Sequence, residues 1–251
     1  MLKFSVVLLI AVTALFPCRD LYSAPSHDAD RSYYGAPMAR IAPVVDASGD
    51  DPAWERAEWR PIDKVWLGSY LSEDDFQGRF KLTWTSEKLY VLVELTDDVL
   101  VDFHREPLDR YWDDDCLELF IDEDHSGGNH QYNHNAFAYH VSLDNQVVDI
   151  GTDTRARTYN DHVESQWRQQ DGIVVWELAV SIYTDEYQDN HKENKTVELK
   201  AGKVMGFMVA YRDNDHSEIR EHFIGSEDAG TEHTDRGWID ASMFGTLELV
   251  Q

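Results

Sequence analysis

Basic residues are scarce in this chain: 22 Lys+Arg stand against 48 Asp+Glu over 251 residues, a formal net charge of −26. A surface so acidic repels phosphate backbones and anionic bilayers, which excludes nucleic acid as a partner and disfavours membrane surfaces. A neutral ligand or a divalent cation suits it better. Cysteine is nearly missing, with Cys18 and Cys116 alone, so the domain must hold itself by packing or by metal rather than by a disulfide framework. Long apolar runs are missing too, apart from Phe4 to Phe16, which follows Lys3 and precedes the small residues Ser23 and Ala24. That run is shorter than the ~20 residues that span a bilayer. It has the anatomy of a secretory signal peptide cleaved after Ala24. The expectation is a signal peptide over 1–24, no membrane span, and a secreted or periplasmic protein. A lipid anchor at Cys18 is the lesser alternative, because Leu15-Phe16-Pro17 lacks the small residues that usually precede a lipidated cysteine. Cys116 then stands alone among alternating apolar neighbours, which predicts a buried structural thiol.

Helical periodicity is equally sparse. The one helix candidate is Asp51-Pro52-Ala53-Trp54-Glu55-Arg56-Ala57, with Asp51 as cap and Pro52 at the first helical position. What is present instead is β-patterning. With 42% hydrophobic and 12% aromatic residues, the chain is too apolar for disorder. Pro25, Ser26, Gly35 and Pro37 mark residues 25–40 as a flexible leader. From Ile41 onward, short β-branched and aromatic runs recur between Asp, Asn and Gly clusters. Phe80, Leu82 and Trp84 share one face, and Val91, Val93 and Leu95 another. Leu117, Leu119 and Ile121 alternate with Cys116, Glu118 and Phe120; Phe137, Tyr139 and Val141 alternate with Ala138, His140 and Ser142. Gln170-Asp171-Gly172 marks a hairpin. Strands without intervening helices predict an all-β domain over 41–251, a β-sandwich of two antiparallel sheets of jelly-roll or immunoglobulin-like kind.

Eight tryptophans punctuate the chain. Trp84 and Trp176 are in phase with apolar neighbours and belong to the core by parity, while Trp54 packs its short helix onto the sandwich. Trp112, in Tyr111-Trp112-Asp113-Asp114-Asp115, and Trp238, after a polar loop, have no apolar neighbours on their own side of the chain. Exposed indoles beside carboxylates suit a sugar, whose C–H face stacks on a ring while acids accept from its hydroxyls. The competing reading folds each indole back over a sandwich end.

The string Trp112-Asp113-Asp114-Asp115-Cys116-Leu117-Glu118-Leu119-Phe120-Ile121-Asp122 resembles the central motif of family 9 carbohydrate-binding modules. The ending from Trp238-Ile239-Asp240 through Phe244-Gly245-Thr246-Leu247-Glu248-Leu249 resembles that family's closing motif. The resemblance runs from about Ile41 to the C-terminus. It implies a β-sandwich module that binds the end of a sugar chain between two tryptophans, without chemistry. Carried over by position, the clamp falls on Trp112 and Trp238 and the acidic ligand contact on Glu118. A sugar-binding arginine of the family falls on His140, and a contact asparagine on Asp235. Arg212 is a further candidate for bonding hydroxyls. The implied partner is an oligo- or polysaccharide, with separate carbohydrate-active enzymes as possible neighbours.

Other constellations compete. Asp115 and Glu118 suggest a glycosidase pair, but three positions apart in a strand they point to opposite faces. His125, His130, His134 and His140 invite a metal, yet Gly127-Gly128 argues for plain loop. Asp97-Asp98 and Asp213-Asn214-Asp215 end strands in oxygen-rich loops suited to a hard cation, so structural Ca2+ on Asp213 and Asp215 is the one cofactor considered and none is required. The rival functions are a haem-binding electron-transfer protein of similar sandwich fold (Met205, Met208 and Met243 available, no CxxCH motif), a glycoside hydrolase or lyase, and a calcium-dependent adhesion module.

Overall fold

The computed structural model describes residues 31–69, 71–229 and 234–251. The stretch read as a signal peptide, Cys18 included, lies outside the described residues, as do positions 231–233 of the loop before Trp238. Among the described residues no helix is long and apolar enough to cross a membrane.

Alternating apolar runs become strands, and two sheets result. The smaller comprises β2 (Arg60–Ile62), β4 (Phe76–Trp84), β5 (Leu89–Asp97), β10 (Val163–Gln170) and β11 (Ile173–Val180), ordered β10-β11-β5-β4-β2. The larger holds β1 (Tyr33–Pro37), β3 (Lys64–Leu67), β6 (Cys116–Asp122), β7 (Phe137–Ser142), β8 (Val147–Ile150), β9 (Ala156–Thr158), β12 (Val204–Asp213), β13 (His222–Gly225) and β14 (Gly245–Val250). Its main path is β1-β14-β12-β6-β7-β8-β9, and β13 pairs with both β12 and β3. The predicted hairpin joins β10 to β11, with Asp171 and Gly172 both at positive φ, as a tight type I′ turn requires.

The faces assigned by parity meet between the sheets. Phe80, Trp84, Val93 and Trp176 from one sheet pack with Leu117, Leu119, Tyr139, Phe207 and Tyr211 from the other. Met205 belongs to this core, while Met208 and Met243 lie in a second cluster, so all three methionines of the haem alternative serve packing. Cys116 is buried, as expected.

Two local expectations change. The flexible leader over 25–40 is overturned in its second half: Tyr33–Pro37 is β1, paired in parallel with β14 from Tyr33↔Thr246 to Pro37↔Val250. Gly35 and Pro37 look like chain breakers, but an edge strand tolerates both, and Tyr34 and Ala36 fill the core. The predicted helix is a single 3-10 turn, Pro52–Trp54. The Asp51 carboxylate does not cap it but accepts from the Val44 amide at 2.9 Å. Trp54 nonetheless packs where expected, on the outer face of the smaller sheet against Tyr90, Leu92 and Ala179.

The second cluster positions the site. Phe120, Ala138, Met208 and Ala210 lie on the outer face of the larger sheet and are covered by Trp66, Phe223, Ala241, Met243 and Phe244. Hence β6 is buried on both faces along its whole length.

Candidate functional site

Residues of equal parity on three neighbouring strands form a row across the outer face of the larger sheet. Glu118 on β6 stands opposite His140 on β7 and Ala210 on β12, which leaves Arg212 diagonal to Glu118. Cross-strand neighbours at such spacing reach one another. Glu118 Oε1 accepts from the Arg212 Nε–H and lies 2.8 Å from His140 Nε2. Burial alone would raise the Glu118 pKa, but Arg212 and His140 outweigh it and hold it down at about 2. The Arg212 guanidinium also rests over the Phe223 ring, 4.0 Å from its centroid.

Glu118, the expected ligand contact, does not line the cavity. It is 0% exposed, and its Oε2 has no hydrogen-bond partner among the described residues. Parity placed it correctly away from the core, on a face that is nonetheless buried. Glu118 therefore acts as the counter-ion that holds Arg212 and His140 in place.

The two loop tryptophans are delivered by separate devices. In the segment before β6, the acids face the fold. Asp114 accepts from the His104 amide at 2.6 Å and lies 2.9 Å from His104 Nδ1. Asp115 accepts from the amides of Val101 (2.6 Å) and Asn214 (2.8 Å). The Asn214 side chain donates to the Asp113 carbonyl at 2.7 Å. These bonds tie the loop down on both sides of Trp112, which is itself 37% exposed. Trp238 ends a 3-10 turn, Arg236–Trp238. His130 anchors that turn: its Nε2 lies 2.7 Å from the Gly237 carbonyl oxygen and its amide donates to Ile239 at 2.9 Å. Gly237 lies close over Met208 and Phe120, where a Cβ would sit 3.0–3.1 Å from their side-chain atoms, so glycine allows this close approach.

Between these loops opens a cavity of about 280 Å3, lined by Tyr111, Trp112, His140, Asp149, Ile150, Arg212, Arg220, Asp235 and Trp238. That is near the lower end of ligand cavities, which begin at ~300 Å3. Tyr111 stands edge-on to both Trp112 and His140, and Tyr132 edge-on to Trp238, so each indole has an aromatic support. A hollow of about 590 Å3 near Met38–Ala42 and Asp51–Arg56 is larger but has no aromatic lining.

Of the residues expected to bind, Trp112, Trp238, His140, Asp235 and Arg212 thus meet in one cavity. Two of them also bond within the protein. Arg212 is buried and bonded to Glu118, and Asp235 accepts from Arg220 at 2.7 Å. Sequence reasoning missed Tyr111, Asp149, Ile150 and Arg220. Tyr111 adjoins Trp112 and was within reach; Arg220 comes from an exposed-looking polar loop with no pattern to mark it. Asp149 accepts from the Ala138 and Ile150 amides, and burial pushes its pKa up to about 7.

The histidines do not form one metal centre. His130 serves Gly237, His134 pairs with Asp189 at 3.2 Å, and His140 pairs with Glu118. The aspartates do converge: Asp97, Asp213 and Asp215 bring ligand oxygens within 4.8 Å of one another, and Asp215 likewise groups with Asp75 and Asp98. Asp213 Oδ1 and Asp215 Oδ1 are shut off from solvent without a hydrogen-bond partner among the described residues. Burial pushes Asp97 up to about 7 and Asp213 up to about 6. An all-oxygen donor set with spare lone pairs fits a hard divalent cation.

The fold has known counterparts. Endo-1,4-beta-xylanase A of Thermotoga neapolitana is 28% identical over 210 residues, covering 83% of this chain and 17% of that protein. Exoglucanase XynX of Acetivibrio thermocellus is 24% identical over 236 residues, covering 90% and 19% respectively. The chain therefore spans less than a fifth of the length of these relatives. A carbohydrate binding module family 9 from Caldicellulosiruptor kristjanssonii, solved in complex with cellotriose, superposes with a TM-score of 0.63 at 21% identity, over 87% of this chain and 94% of that one. A carbohydrate binding module family 9 from the same organism, solved in complex with glucose, gives 0.63 at 22%, over 88% and 95%. The profile of the carbohydrate family 9 binding domain-like family matches residues 45–251, and the chain belongs to that family.

Proposed function

We propose that the protein is a non-catalytic carbohydrate-binding protein in which Trp112 and Trp238 stack on a terminal sugar ring. The observation that carries this reading is that two indoles from loops far apart in sequence line one small cavity together with polar side chains. His140, Arg212 and Asp235 bond the hydroxyls, and Glu118 holds Arg212 and His140 from below. The module structures solved with cellotriose and glucose support the same ligand class. A carboxylate pair for hydrolysis finds no support, because Asp115 turns to Val101 and Asn214 while Glu118 turns to Arg212 and His140. Exported by the segment read as a signal peptide, the protein captures sugar outside the cytoplasm, alone or beside separate carbohydrate-active enzymes.

Isothermal titration with mono- and oligosaccharides, each native and end-reduced, tests the site. Binding that vanishes on end reduction supports a chain-end pocket. A folded protein that binds nothing in the panel overturns the reading.

The same reading assigns structural Ca2+ to Asp97, Asp213 and Asp215. A cation held by these residues would supply charge neutralisation, letting buried carboxylates ionise together at the end of β12, next to the Asn214 that holds the Trp112 loop. Calcium at one hundred times its dissociation constant stabilises the fold by about 2.7 kcal/mol. Thermal unfolding in excess chelator should thus occur several degrees below that in millimolar calcium, and Asp213→Asn should erase the difference. Equal unfolding temperatures in calcium and chelator would remove the ion from the account.

A further inference from the structure

We propose that the cavity prefers a sugar carrying a carboxylate, a terminal uronic acid ring, over its neutral counterpart; this rests on reading the cavity as a sugar site. In a chain with 22 Lys+Arg against 48 Asp+Glu, two arginines converge on one small cavity, Arg212 and Arg220. Both guanidinium groups lie over the Phe223 ring, at 4.0 and 5.8 Å from its centroid. They are not equally compensated. Arg212 has the fully buried Glu118 beside it. Arg220 has Asp235, bonded through one terminal nitrogen at 2.7 Å.

That second pair is lopsided. The Asp235 side chain is 44% exposed and screened by water, while that of Arg220 is 15% exposed. The Arg220 Nε is shut off from solvent and meets no acceptor among the described residues. Burial, and after it repulsion from Arg212, pull the Arg220 pKa below its ordinary value, so its positive charge is held at a cost that another anion would relieve.

Among the described residues, the remaining acids near the cavity leave that role open. Glu118 bonds Arg212 and His140 through Oε1 and reaches Arg220 only by longer-range attraction, with no hydrogen bond to it among the described residues. Asp149 is bonded to two amides and, with its pKa near 7, carries only part of a charge at neutral pH. Asp113 contributes attraction to Arg220 at longer range. A guanidinium offers planar donors that match a carboxylate in two-pronged fashion, which a single hydroxyl does not. A uronic acid ring keeps the pyranose C–H face for the two indoles and adds that carboxylate for Arg220.

The test titrates the protein with D-glucuronic acid against D-glucose, and D-galacturonic acid against D-galactose, at low and high salt. The acid should bind about tenfold or more tightly than its neutral partner, the size of one charge-assisted hydrogen bond. Salt should shrink that ratio because it screens the charge pair. Arg220→Gln should bring the ratio close to one, Arg220→Lys should keep part of it, and Asp235→Asn should enlarge it by freeing Arg220. A neutral sugar bound as well as its acid in the wild-type protein overturns this proposal alone. A ratio unchanged in Arg220→Gln does the same. Absence of binding to all four sugars overturns the sugar site itself.

Discussion

Replacing Trp112 or Trp238 by alanine is expected to weaken sugar binding by about 30-fold in each case. The figure follows from ~2 kcal/mol for one stacked, buried aromatic ring, within the ~1–3 kcal/mol range of pair and burial energies. The two variants should differ in stability. Trp112 is 37% exposed and sits on a loop held by Asp114, Asp115 and Asn214, so its loss should leave the unfolding temperature within a few degrees of wild type. Trp238 is half-buried against the outer cluster, so Trp238→Ala should unfold somewhat earlier. Phenylalanine at either position should restore part of the affinity, because a ring face is retained. Titration calorimetry beside thermal unfolding separates the effects, and full affinity in both alanine variants would sink the site.

The second large effect concerns stability. Glu118→Ala should cost roughly 3–5 kcal/mol, because it strands the buried Arg212 guanidinium without its counter-ion. Urea unfolding measures this directly. Replacing both partners, Glu118→Leu with Arg212→Leu, should recover most of the loss, since an apolar pair of similar volume carries no desolvation cost. A surface carboxylate that merely touched sugar would behave oppositely, losing affinity with stability intact. The pH dependence has a definite sign. The folded pKa of Glu118 is depressed from 4.5 to about 2, so its contribution is full above 4.5 and fades as pH falls towards 2. The wild-type protein should lose this increment on acidification, and Glu118→Ala should not.

Glu118 shows where legibility stopped. Side-chain alternation is a local property with a period of two, so parity alone put Glu118, His140 and Arg212 on the non-core face, and the structure keeps them there. Parity does not report whether a face meets water. Trp66 and Phe244 come from segments far away in sequence and pack on that face against Phe120 and Met208, while Phe223 lies under the Arg212 guanidinium. The leader failed for a related reason: Gly35 and Pro37 are local breakers, whereas the parallel pairing with β14 joins opposite ends of the domain. Asp113-Asp114-Asp115 looked like a row of hydroxyl acceptors, yet Asp114 and Asp115 accept from His104, Val101 and Asn214 amides. Asp213 and Asp215 were legible as an oxygen-rich loop, but not that Asp97 joins them from another strand.

By itself, the sequence determined the strand pattern, the core tryptophans Trp84 and Trp176, the placement of Trp112 and Trp238 outside the core pattern and the acidic character that narrows the partners. Each of these depends on short-range periodicity or composition, which the chain carries wherever it folds. Tertiary structure decided that Glu118 is a buried counter-ion, that Arg220 and Tyr111 enter the cavity, and that the cavity holds two guanidinium groups with unequal compensation. Those facts depend on which distant segments cover which face, and thus on how completely each charge is desolvated.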